Sequence, residues 1–376
     1  MLVIGGGLAG CATAYFLAKN GIEVVLIERH DLNALASGSN AGSIHAQIPH
    51  AEFLELGEEW ARGFAPVIPL MLESIRLWGT LESELGADLE FSLKGGLLVA
   101  RTEAQMRAIE RKGAIERAHG LAVEILSRAD LRRIAPYLAE DLVGASFCAS
   151  EGKANPLAVT PAFARAAAAR GAAVLRRTAL AGIRVEGQGF VAETDAGPIR
   201  AQRIVNCAGA EAGRIAAMVG LDLPIEGHPI QVNVTEPAAP LVPHLVYFAG
   251  GKLTLKQTRR GAFLIGGGWP AIFAPGDARP RVDPRSIEAN LRIAVSVVPA
   301  LAHVHLLRTW PAIVNGTADW RPVLGEVPGV PGFYMCCFPW MGFTAGPICG
   351  LAVAELILGR KPSVDITRFS ALGDAA

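Results

Sequence analysis

The chain has 376 residues, 35 Lys+Arg against 35 Asp+Glu, and a formal net charge of zero. That length buries a large core and makes about two domains. The balanced charge excludes a basic field for nucleic acid and any charged tail. With 51% hydrophobic and 19% charged residues, the composition is that of an enzyme, with scope for an apolar face that meets a partner.

The opening stretch is the most informative. Met1 to Ile4 is an apolar run of the kind that forms a buried parallel strand. It leads into Gly5, Gly7 and Gly10 in G-x-G-x-x-G spacing. Leu8, Cys11, Ala12, Tyr15 and Phe16 then repeat on one helical face, and Asn20-Gly21 stops the helix. Glu23 to Ile27 reads as a second strand, closed by Glu28. In such a unit the glycines permit the tight turn, close approach to a pyrophosphate and helix–strand packing. The helix N-terminus faces the phosphates, and the acid accepts from a ribose. A dinucleotide site follows; a glycine-rich turn without a ligand is the alternative. No secretory or transit pattern precedes the run, and the expectation is a cytoplasmic protein.

The segment ALASGSNAGSIHAQIPH is too polar and glycine-rich for a packed element. It suits a cofactor loop, with a plain surface loop as the alternative. Glu52 to Gly86 is helical, broken by Pro66 and Pro69. Leu89–Phe91 and Gly96–Val99 are expected to pair as a hairpin. Thr102–Gly120 and Ser127–Ala135 are expected as charged outer helices. A helix is expected from near Pro161, then strands at 173–175, 190–193, 199–203 and 204–206. Gln231–Thr235, Leu253–Thr258 and Phe263–Gly266 read as strands of an antiparallel or mixed sheet. Ser286–Val298 is a helix, Trp310–Gly325 irregular, and Phe333–Cys337 a buried strand. The apolar window from Met341 to Leu358 is interrupted by Glu355 and reads as a buried helix, not a membrane span. The six cysteines at 11, 148, 207, 336, 337 and 349 form no C-x-x-C pair and are expected to be reduced.

GGGLAG with Glu28-Arg29, the SGSNAG loop, NCAGA at 206–210, GTADWRPVLG at 316–325 and GFTAGP at 342–347 occur in this order. Together they resemble the D-amino-acid oxidase/glycine oxidase/sarcosine oxidase superfamily of flavoproteins over nearly the whole chain. The SGSNAGSIH loop and the FPWMGFTAGP end look most like the B-type chain of opine (octopine or nopaline) oxidases. The resemblance implies an α/β fold. A discontinuous Rossmann-like FAD domain (1–45, 151–222 and 309–376) would join a substrate domain (46–150 and 223–308) with a mixed, largely antiparallel sheet. Gly5, Gly7, Leu8, Ala9 and Gly10 would bind the FAD pyrophosphate. Glu28 would hold the ribose, with Arg29 beside adenine. Ser39, Asn40, Ala41, Gly42 and Ser43 would wrap the ribityl chain. Leu180 would touch adenine, and Ala208 and Gly209 would cover the pyrophosphate. Met341, Gly342, Phe343 and Thr344 would face the flavin's pyrimidine edge, where the closing helix dipole favours the reduced anion.

The sequence also departs from that pattern. The two arginines that clamp a substrate carboxylate in glycine oxidase-like members are replaced by Val314 and Trp340. Lys256 or Arg259 would then have to supply the cation. Asn155 stands where the beta chain of a sarcosine oxidase tethers FMN through His. The implied flavin is therefore noncovalent FAD, with FMN at an interface between chains as an option. No metal is implied.

The implied reaction is oxidation of the C–N bond of a secondary amine or amino-acid derivative to an imine, then hydrolysis, in a hetero-oligomer with an alpha-type subunit. A stand-alone amino-acid oxidase and a non-catalytic relay or assembly subunit are the alternatives. His45 and Gln47 are candidates for the pocket, with Trp340 as an apolar wall. For Lys256 and Tyr247 an outward, solvated face is the competing assignment.

Overall fold

The computed structural model describes residues 1–274 and 279–371. Two large sheets organise it. One has six strands, in the order Val323–Glu326, Phe333–Cys337, Ile204–Asn206, Leu2–Ile4, Val25–Glu28 and Ala173–Arg176. All neighbours run parallel except the first pair. Helices cover its central strands, which explains the unbroken apolar runs at Leu2–Ile4 and Phe333–Cys337.

The opening helix, Leu8–Lys19, is buried on nearly every side. It lies between the closing helix, Gly342–Ile357, and the helix Pro156–Ala168. Two glycines allow the first approach. A β-carbon on Gly346 would lie 3.0 Å from Leu8 Cγ, and one on Gly350 would lie 2.8 Å from Thr13 N. The first residues of the chain and its last helix therefore pack backbone to backbone.

The second sheet has eight strands, in the order Leu306–Gly316, Glu226–Pro237, Ala262–Gly266, Thr254–Gln257, Leu245–Phe248, Gly96–Ala100, Gly144–Cys148 and Glu124–Ser127. It is antiparallel except where Leu245–Phe248 meets Gly96–Ala100. The α/β class and the mixed, largely antiparallel second sheet match the sequence expectation. The expected division at 308/309 falls inside Leu306–Gly316, which lies wholly in the eight-stranded sheet.

Several local expectations are corrected. Leu89–Phe91 and Gly96–Val99 do not pair: Ser92–Leu93 bridges Gly152–Lys153, while Gly96–Ala100 enters the large sheet. Trp310–Gly325 is not irregular. Its first half belongs to an eleven-residue strand, and Val323–Glu326 is another. Pro311 hid that strand, yet Leu306–Gly316 is a sheet edge, where a missing N–H is tolerated. The helix expected near Pro161 begins at Pro156, capped by Asn155, whose side chain accepts from Leu157 N at 2.9 Å. Pro66 does separate two helices, His50–Phe64 and Val67–Leu85, but Pro69 sits in the second's first turn, where proline is accommodated. The segment after Leu35 packs after all, as a short helix Ala36–Ser39 and a strand Ser43–Ile44 with Ile44, Ala46 and Ile48 buried. The helix Glu103–Ala118 carries Lys112 and Glu116 into the interior, both 0% exposed, rather than lying wholly outside.

Among the described residues, no helix is long and apolar enough to cross a membrane.

Candidate functional site

The opening turn is built for a close ligand. Gly5 has φ +110°, and a β-carbon on Gly10 would lie 1.9 Å from Gly5 O. Glu28 closes the second strand with its carboxylate turned back to the turn: Oε2 accepts from Gly6 N at 2.7 Å and Oε1 from His30 N at 2.8 Å. Each oxygen keeps a second lone pair for a hydroxyl. Arg29 lies 3.4 Å from Glu211, which ends the short turn of 3₁₀ helix starting at Gly209. Gly209, with φ +57°, and Gly342 both face open space at the β-carbon position. Leu180 starts a strand of a small satellite sheet, tied to this corner by Thr178 N donating to Glu28 O at 2.8 Å. Ser37 Oγ accepts from Leu8 N at 2.9 Å, which sets the segment before Ser39 against the opening helix. These features fit an extended dinucleotide: a side-chain-free turn, a helix whose own cap residue is Gly7, and an acid at the next strand end.

The segment that follows connects this groove to a cavity of about 190 Å³. Asn40, Ala41, Ser43, Met341 and Phe343 line it together with His45, Gln47, His50, Tyr247, Val314 and Trp340. Asn40 Oδ1 accepts from Gly42 N at 2.7 Å, and Gly42 has φ +75° with no room for a side chain beside Ala154 O. Trp310 Nε1 donates to Ser39 O at 2.8 Å, so the large sheet holds the loop from outside. Thr344 is fully buried. Its Oγ1 accepts from His45 N at 2.8 Å, and its carbonyl accepts from Ser74 Oγ and Trp78 Nε1. Trp340 takes φ +58°, its N donating to Asn315 O at 3.1 Å, and its ring fills the space left by Gly268. Val314 and Trp340, the positions where the resemblance implies arginine elsewhere in the family, both line the cavity, and among the described residues no arginine does.

Lys256 does not point outward. It is 1% exposed, and its Nζ donates to Ser43 Oγ. Burial, with Lys153 nearby, pulls its ammonium down to about 7. Arg259, the other cation considered, is on the surface, paired with Asp88 at 2.5 Å. Tyr247 lines the cavity and its hydroxyl lies 2.7 Å from His45 Nδ1. Burial and the charge of Lys256 push the His45 imidazole down to about 3. His50 is pushed to about 3 by burial and by Lys112, and among the described residues neither of its ring nitrogens has a hydrogen-bond partner.

Sequence reasoning missed the polar cluster beside this cavity. Glu151 is fully buried and accepts from Ala46 N at 2.7 Å, Gln47 N at 2.9 Å and Gln47 Nε2 at 2.9 Å. Gln47 Oε1 in turn accepts from Ser146 Oγ at 3.0 Å and Lys112 Nζ at 3.3 Å. Lys112 pairs with Glu116, whose carboxylate accepts from Ile48 N at 2.7 Å. Burial raises the Glu151 carboxyl; the three N–H donors and Lys112 oppose that shift. The one sequence signal was Gly95-Gly96: a β-carbon on Gly96 would fall 1.8 Å from Glu151 Oε2, so the glycine makes room for the acid.

The beta chain of sarcosine oxidase from Rhizobium meliloti (strain 1021) is 29% identical over 98% of this chain and 86% of its own length. The B-type chain of opine oxidase from Rhizobium meliloti is 29% identical over 99% of this chain and 96% of its own. The crystal structure of glycine oxidase from Geobacillus kaustophilus superposes with a TM-score of 0.87 at 28% identity, covering 98% of this chain and 97% of that one. The family model for the FAD dependent oxidoreductases (DAO) matches residues 1–356, and the chain belongs to that family.

Proposed function

We propose that the chain oxidises the C–N bond of a secondary amine, an opine-like amino-acid derivative, to an imine that water hydrolyses. It does so as the catalytic subunit of a hetero-oligomer. The observation that carries this reading is the cavity lining: Val314 and Trp340 are both part of it, no arginine is among the described residues that form it, and it reaches Ser43 and Met341. Such a pocket lacks the bidentate clamp that grips a bare amino acid, and the likeness to the opine oxidase chain supports the opine-like substrate class.

Noncovalent FAD, when bound, supplies the hydride acceptor. Gly5, Gly7, Leu8, Ala9 and Gly10 would meet its pyrophosphate, with Ala208 and Gly209 opposite. Glu28, Arg29 and Leu180 would hold the adenosine end. Ser39–Ser43 would follow the ribityl chain, and Met341–Thr344 would face the ring. His45 and Gln47 orient the substrate, Trp340 excludes water from one side, and Lys256 places a titratable amine behind Ser43. The sarcosine oxidase and opine oxidase relatives are each named as one chain of a multi-chain enzyme. That supports a second, alpha-type chain here, and an FMN at the boundary with it fits this reading. Six buried free cysteines suit a reducing compartment, in line with the cytoplasm.

The likeness to glycine oxidase favours a second reading, a stand-alone amino-acid oxidase. An anaerobic flavin-reduction screen over opines, sarcosine, proline and D-amino acids, with and without a co-purified second chain, tests the choice. Bleaching by opines that needs the second chain supports the first reading; bleaching by glycine or D-amino acids with this chain alone supports the second.

A further inference from the structure

An opine-like substrate carries a carboxylate, and among the described residues no arginine lines the cavity to receive it. Two lysines of the described residues do line it, Lys112 and Lys252. Lys112 is fully buried and already committed: its Nζ pairs with Glu116 and donates to Gln47 Oε1 at 3.3 Å. Lys256 and Arg259 are not in the lining; one donates to Ser43 and the other pairs with Asp88. Lys252 is exposed to solvent and makes no ion pair among the described residues. Its backbone is nonetheless fixed, in the connection between Leu245–Phe248 and Thr254–Gln257. Trp269 Nε1 donates to Lys252 O at 2.7 Å. Gly267, at φ +120°, packs so closely beside it that a β-carbon there would lie 2.8 Å from Lys252 C. Glu52 is the one acid in the described lining. Burial raises its carboxyl, while a backbone hydrogen bond and the charge of Lys252 hold it down, so that charge reaches the cavity.

We infer that Lys252 is a specificity-determining residue: it receives the substrate carboxylate where the cavity opens to solvent, as a single flexible cation in place of a bidentate clamp. An arginine fork fixes the plane of a carboxylate as well as its charge, whereas an ammonium on a four-carbon stem follows the charge alone. The pocket then accepts carboxylates at more than one distance from the C–N bond, provided the group is anionic. The presence of that C–N bond rests on the proposed function; the recognition of the carboxylate does not.

The test titrates the holoenzyme with N-acetylalanine and with its neutral primary amide, followed by calorimetry. The acylated nitrogen of both ligands has no free lone pair and resists oxidation, so binding is read without turnover. Wild type is expected to bind the acid about 10-fold or more tightly than the amide, the size of one charge-assisted contact. K252M is expected to lose that preference and K252R to keep it. For an amine that bleaches the wild type, K252M is expected to raise KM about 10-fold with little change in kcat, as when binding shared by substrate and transition state is removed. Equal binding of acid and amide by the wild type, a preference for the acid that survives in K252M or is lost in K252R, or a KM that K252M leaves unchanged would overturn the proposal. The expected binding pattern with no amine able to bleach the flavin would uphold the assignment of Lys252 and overturn the functional reading instead.

Discussion

Lys256 Nζ donates to Ser43 Oγ, joining the middle of the large sheet to the segment that lines the cavity. The ammonium is buried without a carboxylate partner among the described ion pairs, and its pKa falls from 10.5 to about 7. Between those values the unfolded chain binds more protons than the folded one, so stability rises with pH across the window. Below pH 7 the folded state carries the full penalty of the buried charge. K256M is therefore expected to be more stable than wild type at pH 6, on the order of 3 kcal/mol, with the gap closing toward pH 10. Urea unfolding at the two pH values checks this; a gap that does not change with pH contradicts it.

His45 and His50 give the molecule an acid-sensitive side. Both imidazoles are pushed down to about 3, so acidification from pH 6.5 toward 3 protonates the unfolded chain first and lowers stability. His50 has two buried nitrogens without partners among the described residues, and replacing it by an apolar residue removes their desolvation penalty. H50L is expected to stabilise by about 2 kcal/mol at pH 5 and by less at pH 8. Thermal unfolding at both values reads the difference.

The Lys112–Glu116 pair is wholly enclosed and sits behind Gln47 and Ile48. K112M strands the Glu116 carboxylate and is expected to destabilise by about 3–5 kcal/mol, whereas K112M/E116L should recover most of that loss. A double-mutant cycle in urea measures the coupling; additive single effects would show that the pair acts as two independent sites.

Much of this site was legible in the sequence because its signals are local. A strand, three spaced glycines, a helix and an acid at the next strand end lie within Met1–Glu28, and the backbone alone imposes that spacing. Period-two alternation in Leu253–Thr258 reveals a strand, but alternation does not say which face looks inward, and on the pattern alone a lysine such as Lys256 belongs on the solvated face. Lys112 and Glu116 are four residues apart on a charged helix, a pattern shared by solvated surface pairs. Glu151 is a lone acid in ASEGKAN, and its meaning comes from Ala46 and Gln47, which only the tertiary fold brings to it.

Gly350 and Thr13 mark the seam between the two ends of the chain. G350V would drive a branched side chain into the Thr13 backbone, so a loss of about 1–3 kcal/mol is expected. Because the seam sets the openings of both helices, the purified variant is also expected to retain less FAD. Flavin content per chain and the melting temperature together test it; full flavin occupancy in a destabilised variant would separate packing from cofactor binding.

The central claim is that this chain's cavity presents a secondary amine to FAD for C–N oxidation. Anaerobic titration of the holoenzyme with an opine, following the flavin absorbance and the released products together, tests it most directly. The account predicts that each flavin bleached yields one carbonyl compound and one amine. A flavin that stays oxidised with every opine and N-alkyl amino acid, or that bleaches without cleavage of the C–N bond, would contradict it.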